Sequence, residues 1–159
     1  MAQLYPVAGC KIYIGNAAMD DQDDDFIASD FASVTWVEIK GWTDMGSIGD
    51  SSQLITSDQI NTARTKKAKG TKNAGSMENV FDIIPDDPGQ IALLAAAGVQ
   101  TNYPFRIDMN DAVAAGDPSK RMFVGLVMTA QERGGGANTP RKVGGTVEIN
   151  SNIVKVAAT

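Results

Sequence analysis

Five carboxylates in six positions, Asp20-Asp21-Gln22-Asp23-Asp24-Asp25, and five basic residues in nine, Arg64, Lys66, Lys67, Lys69 and Lys72, are the densest chemistry in this sequence. The acidic run suggests calcium, since an EF-hand loop begins with spaced carboxylates. The spacing fails: counted from Asp20, the sixth position is Asp25 where the turn needs glycine, and the twelfth is Phe31 where glutamate belongs. It reads as a solvated acidic loop. The basic cluster is a candidate nucleic-acid patch, but no aromatic residue is interleaved to stack on bases. Asp82, Asp86, Asp87 and Asp108 would serve a carboxylate and metal enzyme, although Asp87 is better placed to cap a helix. Gly134 to Gly136 lacks the Lys-Ser/Thr pair and the spacing of a phosphate loop.

The residue types that are missing narrow the function further. There is no histidine and one cysteine, Cys10. A Ser-His-Asp triad, a Cys-His pair, haem ligation by histidine and a zinc centre all lose their required side chains. Cys10 cannot close an internal disulfide and reads as a small apolar group. We expect no enzyme, no cofactor and no metal. No apolar run approaches the roughly 18 residues of a membrane span. The start, MAQLYPVAG, has neither a charged region nor an apolar core, so neither membrane insertion nor a signal sequence is expected.

A length of 159 residues suits one domain. Aromatic residues make up 6% while glycine numbers 16, so the core must come from Val, Ile, Leu, Met and Ala with many turns, which favours β structure. The clearest stretch is 76–109. Ser76 to Ile84 alternates Met77, Phe81 and Ile83 against Glu78 and Asp82. Pro85-Asp86-Asp87-Pro88-Gly89-Gln90 then stops that strand and starts a helix: Asp87 caps, Pro88 takes the first helical position, and Gln90 falls where a capping box closes. Ile91, Leu94 and Ala95, beside Leu93 and Ala97, form a narrow apolar stripe, and Gly98 supplies a left-handed end. Tyr103 to Met109 alternates cleanly, with Arg106 and Asp108 outward.

Around that unit lie Lys11 to Gly15, Val34 to Lys40, Arg121 to Gln131, Val143 to Asn150 and the short Ile153 to Val156, all strand-like. Trp36 and Trp42 are anchors of core or interface. Arg121 to Gln131 is apolar on both parities, Met122, Val124, Leu126 and Met128 against Phe123 and Val127. Such a strand lies between a core and a second packed surface. Glu132 to Arg141 is a flexible hairpin tip. The expected architecture is mainly β: a β-sandwich or partly closed β-barrel of about seven strands, with one short α-helix packed against it.

From Gly46 to Asn73 the pattern disappears. These roughly 28 positions exceed the usual ~12 to 15 for a loop within a domain, so the stretch is either disordered or a long extended arm with its partner elsewhere. Leu54, Ile55 and Ile60 argue against disorder. With a net charge of −5 over the whole chain, the basic residues Arg64, Lys66, Lys67, Lys69 and Lys72 point to an acidic protein surface, such as the Asp20 to Asp25 run of a neighbouring copy.

The segments WVEIKGWTDMGSIGD, Arg64-Thr65-Lys66-Lys67-Ala68-Lys69-Gly70-Thr71-Lys72-Asn73-Ala74-Gly75 and Pro85-Asp86-Asp87-Pro88-Gly89-Gln90, in this order, resemble the major tail tube proteins of long-tailed (siphovirus-type) bacteriophages. The resemblance covers nearly all of the chain. It implies a structural virion protein forming homo-hexameric rings, stacked into a conduit for DNA delivery into the host cell. The arm at about 46–73 would bridge subunits or rings. Partners would be other copies and the tail terminator, tape measure and distal tail proteins, in the host cytoplasm before assembly and in the virion after it. A conduit must not bind what it passes, so an acidic lining suits it. Glu78, Asp108 and Glu148, outward on clean strands, are the candidate lumen-facing residues. Two other functions stay open: a nucleic-acid-binding β-barrel using the basic arm 64–72, and the carboxylate and metal enzyme.

Overall fold

A computed structural model describes residues 3–159. Among them are ten strands: β1 (Lys11–Gly15), β2 (Trp36–Ile39), β3 (Trp42–Asp44), β4 (Ser51–Asp58), β5 (Thr65–Asn73), β6 (Ser76–Asp82), β7 (Tyr103–Asp108), β8 (Lys120–Arg133), β9 (Lys142–Ile149) and β10 (Val154–Val156). One helix, α1 (Pro88–Ala97), lies between β6 and β7, and a 3-10 turn spans Ala28–Phe31. Eight strands form one antiparallel sheet in the order β2-β1-β7-β8-β9-β6-β3, with β10 alongside the start of β8. Its two end strands are neighbours in sequence, separated by Lys40 and Gly41. The sheet must therefore curl until its edges meet at that bend. Since β2 and β3 do not pair with each other, the result is a sandwich-like fold and not a closed barrel.

Alternation puts Ile12, Ile14, Phe105, Ile107, Phe123, Val127, Met77, Phe81 and Val147 inside the curl, where all are buried. Phe105 and Phe123 are direct cross-strand partners with ring centroids 5.6 Å apart. The two-sided apolar reading of β8 holds over its first half. Phe123 joins the main core, while Met122 and Val124 on the other face are covered by Phe26, Phe31 and Val154. Asn152 ties that cover down: its Oδ1 accepts from Phe26 N at 2.7 Å and its Nδ2 donates to Phe26 O at 3.0 Å. Past a bulge at Met128, the outer face of β8 opens to solvent, and Met128 is exposed.

The helix cap is where the sequence reading is both confirmed and corrected. Asp87 caps as expected, accepting from Gln90 N at 3.0 Å, and its carboxylate also takes Lys40 N at 3.1 Å. Gln90 does not close a capping box. Its Oε1 accepts from Ile84 N, and its Nε2 donates to Lys40 O and Asp82 O, so it staples the bend between β2 and β3 to the end of β6. Gly89 packs directly on the Glu38 carbonyl, where a Cβ would overlap it. These contacts fix the rotation of α1, and they select a different face from the expected stripe. Leu93 and Ala96 are buried, whereas Ile91, Leu94 and Ala95 are exposed. An Ala- and Leu-rich helix is apolar all round, so periodicity had no polar face to exclude. Gly98 is right-handed, with φ −84°, and not the expected left-handed cap. The helix ends by tightening, as Gly98 N donates to Ala95 O and Val99 N to Ala96 O. Among the described residues no helix is long and apolar enough to cross a membrane.

Candidate assembly surface

Most of the stretch without a pattern, 46–73, is a hairpin that stands off the body, while Ile48 near its start packs on the main core. β4 and β5 pair only with each other, as a two-stranded antiparallel hairpin. Every residue of β4 is exposed, and so is every residue of β5 except Gly70. A strand of eight residues reaches about 26 Å. Leu54 and Ile55 lie on the hairpin, 64% and 53% exposed, and Ile60 sits at its tip with no cover at all. Isolated hairpins are marginal in water, and this one has no layer against either face.

Its root, by contrast, is anchored. Gly46 lies against the backbone of Glu78, and Gly46 N donates to Asn79 Oδ1 at 3.1 Å. The same oxygen accepts from Trp42 Nε1 at 3.2 Å. Asn79 is a buried polar residue on β6, missed in the sequence because Met77 and Phe81 on either side fit a plain apolar parity. Two glycines in left-handed conformation flank the hairpin, Gly49 at φ +139° and Gly75 at φ +75°, both in open space.

Register divides the arm into two unlike faces. Cross-strand partners share a face, and the pairs Leu54 with Lys69, Thr56 with Lys67, and Ser52 with Lys72 fall on the same one. Ordinary alternation would place Lys72 opposite Lys69. A bulge, in which the single Gln53 faces both Gly70 and Thr71, brings it round. The result is a cationic face carrying Lys67, Lys69 and Lys72. The other face pairs Ile55 with Ala68 and Ser57 with Lys66, and Ile55 lies over Gly70. Arg64 is at the tip, beyond the paired residues. Among the described residues the ion pairs are Arg106–Asp108 and Lys142–Asp82, so none of the arm's five basic side chains has a carboxylate partner.

Glu78, Asp108 and Glu148 are on the outer face of the curled sheet, in two places. Ser76 pairs with Glu148 and Glu78 with Thr146, which puts both glutamates side by side on β6 and β9. The Ser76 hydroxyl donates to Glu148, while Glu78 is exposed. Asp108 is some six residues away along β8, about 20 Å, because it pairs with Lys120 and Glu148 pairs with Leu126. Arg106 engages it. Nε and Oδ1 are 3.0 Å apart with the hydrogen aimed off the line, and Nη2 donates to Oδ2 at 3.3 Å. The guanidinium also lies 4.1 Å over the Tyr13 ring and 5.3 Å from that of Trp36, which stacks on Phe31.

The remaining chemistry is dispersed. Asp82 pairs with Lys142 at 3.2 Å, Asp87 is spent on the helix cap, and Asp108 on Arg106, so these carboxylates do not meet in one site. Asp20 to Asp25 are all exposed, and Cys10 is half-buried. The Asp111 carboxyl is held below its usual range by hydrogen bonds from the Ser119 hydroxyl and backbone.

No protein-family model and no curated protein matches the sequence. Solved structures match over almost the whole chain. One, an extracellular contractile injection system described as the PVC sheath/tube terminator in extended state, is 10% identical. It covers 98% of this chain and 99% of that one, with a TM-score of 0.69. A chain of the anti-feeding prophage baseplate, 6-fold symmetrised, is 6% identical, with 100% and 99% covered and a TM-score of 0.68. The SPP1 tail tube is 12% identical, with 96% and 80% covered and a TM-score of 0.66. At such identities the likeness is one of fold, and that fold is the one found in tail tube and tube terminator proteins.

Proposed function

We propose that this protein is a structural tail-tube subunit, which assembles with copies of itself into hexameric rings stacked as a hollow conduit for DNA delivery into the host cell. The arm carries this reading. A hairpin of 8- and 9-residue strands, exposed on both faces and bearing Leu54, Ile55 and Ile60, has no stabilising layer within its own subunit. A neighbouring copy supplies one, with Leu54, Ile55, Ile60 and the basic residues Arg64, Lys66, Lys67, Lys69 and Lys72 as the contact set. Six-fold symmetry in an assembly containing this fold supports the ring.

Electrostatics supports the conduit. Six copies at −5 carry roughly −30 per ring, a field that repels phosphates along a narrow bore. Glu78 and Glu148, adjacent on the outer sheet face, are the better lumen candidates. Asp108 contributes less net field because Arg106 is on it. The role is non-enzymatic, the partners are other copies and the tail terminator, tape measure and distal tail proteins, and the site of action is the virion tail after assembly in the host cytoplasm.

Negative-stain microscopy of concentrated protein tests this: stacked rings or tubes are expected, and dispersed particles at every concentration would overturn it. A second reading, a ring that ends the tube, is favoured by the match to a sheath/tube terminator over 98% and 99% of the two chains. Single rings that never stack would select it.

A further inference from the structure

The arm's cationic face has a complement on the same chain. Lys67, Lys69 and Lys72 stand on one side of β5 at a repeat of about 7 Å, and none has an ion-pair partner among the described residues. The other unpaired concentration of charge is Asp20 to Asp25, in which all five carboxylates are exposed. That loop is held at both ends, by Met19 N donating to Asn102 O at 2.9 Å and by Phe26, which is buried and bonded at both its backbone groups to Asn152. The lysine row is about 14 Å long, two such repeats, and the loop bends at Asp23 and Asp24. Within one subunit Asp25 and Lys72 line one polar cleft with Asp50. Lys67 and Lys69, farther out along β5, have no ion-pair partner in their own loop.

From this complement of sign and unpaired exposure, we infer that the lysine face of one copy's arm docks on the Asp20 to Asp25 loop of a second copy. The inference rests on the self-assembly proposed above and names the surface that receives the arm. Single exposed ion pairs contribute little, but several in register add up and remain sensitive to salt.

The test uses three full-length variants: K67E/K69E/K72E, D21K/D23K/D24K, and the two sets combined. All substituted positions are exposed, so each variant is expected to keep its circular dichroism spectrum and urea midpoint. Light scattering at low salt should show that either reversal alone raises the concentration needed for assembly by about tenfold or more. The combined variant, with the signs exchanged, should return close to wild type. Assembly unaffected by K67E/K69E/K72E, or not restored in the combined variant, overturns the docking while leaving self-assembly intact. A wild type that never assembles overturns the tube reading and this inference with it. Retention of DNA by wild type at low salt, lost in K67E/K69E/K72E with assembly unchanged, would make nucleic acid the occupant and also overturn it.

Discussion

Lys69 and Lys72 are three residues apart yet share a side of the arm, because Gln53 on the opposite strand faces both Gly70 and Thr71. Lys66, paired with Ser57, is on the other side. The two faces therefore predict unequal mutants. Lys69→Glu and Lys72→Glu should weaken assembly by similar factors, each several-fold, and Lys66→Glu should weaken it less. Light scattering across a salt series checks this, since the difference should shrink as salt screens the cationic face.

Two glycines at the ends of α1 predict opposite outcomes. Gly89→Ala would drive a Cβ into the Glu38 carbonyl and should destabilise by about 1 to 3 kcal/mol or more. Gly98 has an ordinary helical φ of −84° and only van der Waals distance to Ala95 O, so Gly98→Ala should stabilise by about 0.4 to 1 kcal/mol. Urea unfolding of both variants measures the contrast.

Gln90→Leu keeps the volume and removes the staple, leaving Ile84 N, Lys40 O and Asp82 O without their partner. The expected loss is about 2 to 4 kcal/mol. Asp87→Ala should cost about 2 kcal/mol, since Gln90 N and Lys40 N both lose an acceptor. Chemical denaturation separates the two.

Asn79→Leu leaves Trp42 Nε1 and Gly46 N unpaired at the root of the arm. Tryptophan emission should shift to the red as Trp42 loosens, and amide exchange near Gly46 should accelerate, with far-UV circular dichroism unchanged.

The body of the fold was legible because its strands are half-buried: Ile12 and Ile14, Phe105 and Ile107, Val143 and Val147 alternate against polar neighbours, and burial follows that alternation. The arm was not legible as strands because it is wet on both faces, and Ser51 to Asp58 and Thr65 to Asn73 carry no alternation to read. Its bulge leaves no periodic mark, so the gathering of Lys67, Lys69 and Lys72 emerges only from the register. The helix was placed correctly by Asp87 and Pro88, while its buried face was set by Gly89 and Gln90, through contacts with distant β2 that no local pattern contains. Phe26 and Phe31 escaped as a covering layer because they sit in an acidic, irregular segment.

The central claim, that the exposed arm of one copy is completed by another, is tested most directly by measuring particle mass across a concentration series, with and without residues 51–73. The full chain should rise from 16.8 kDa to rings and larger stacks, and the armless chain should stay folded and monomeric. A full chain that remains at 16.8 kDa at every concentration, or an armless chain that assembles equally well, would contradict it.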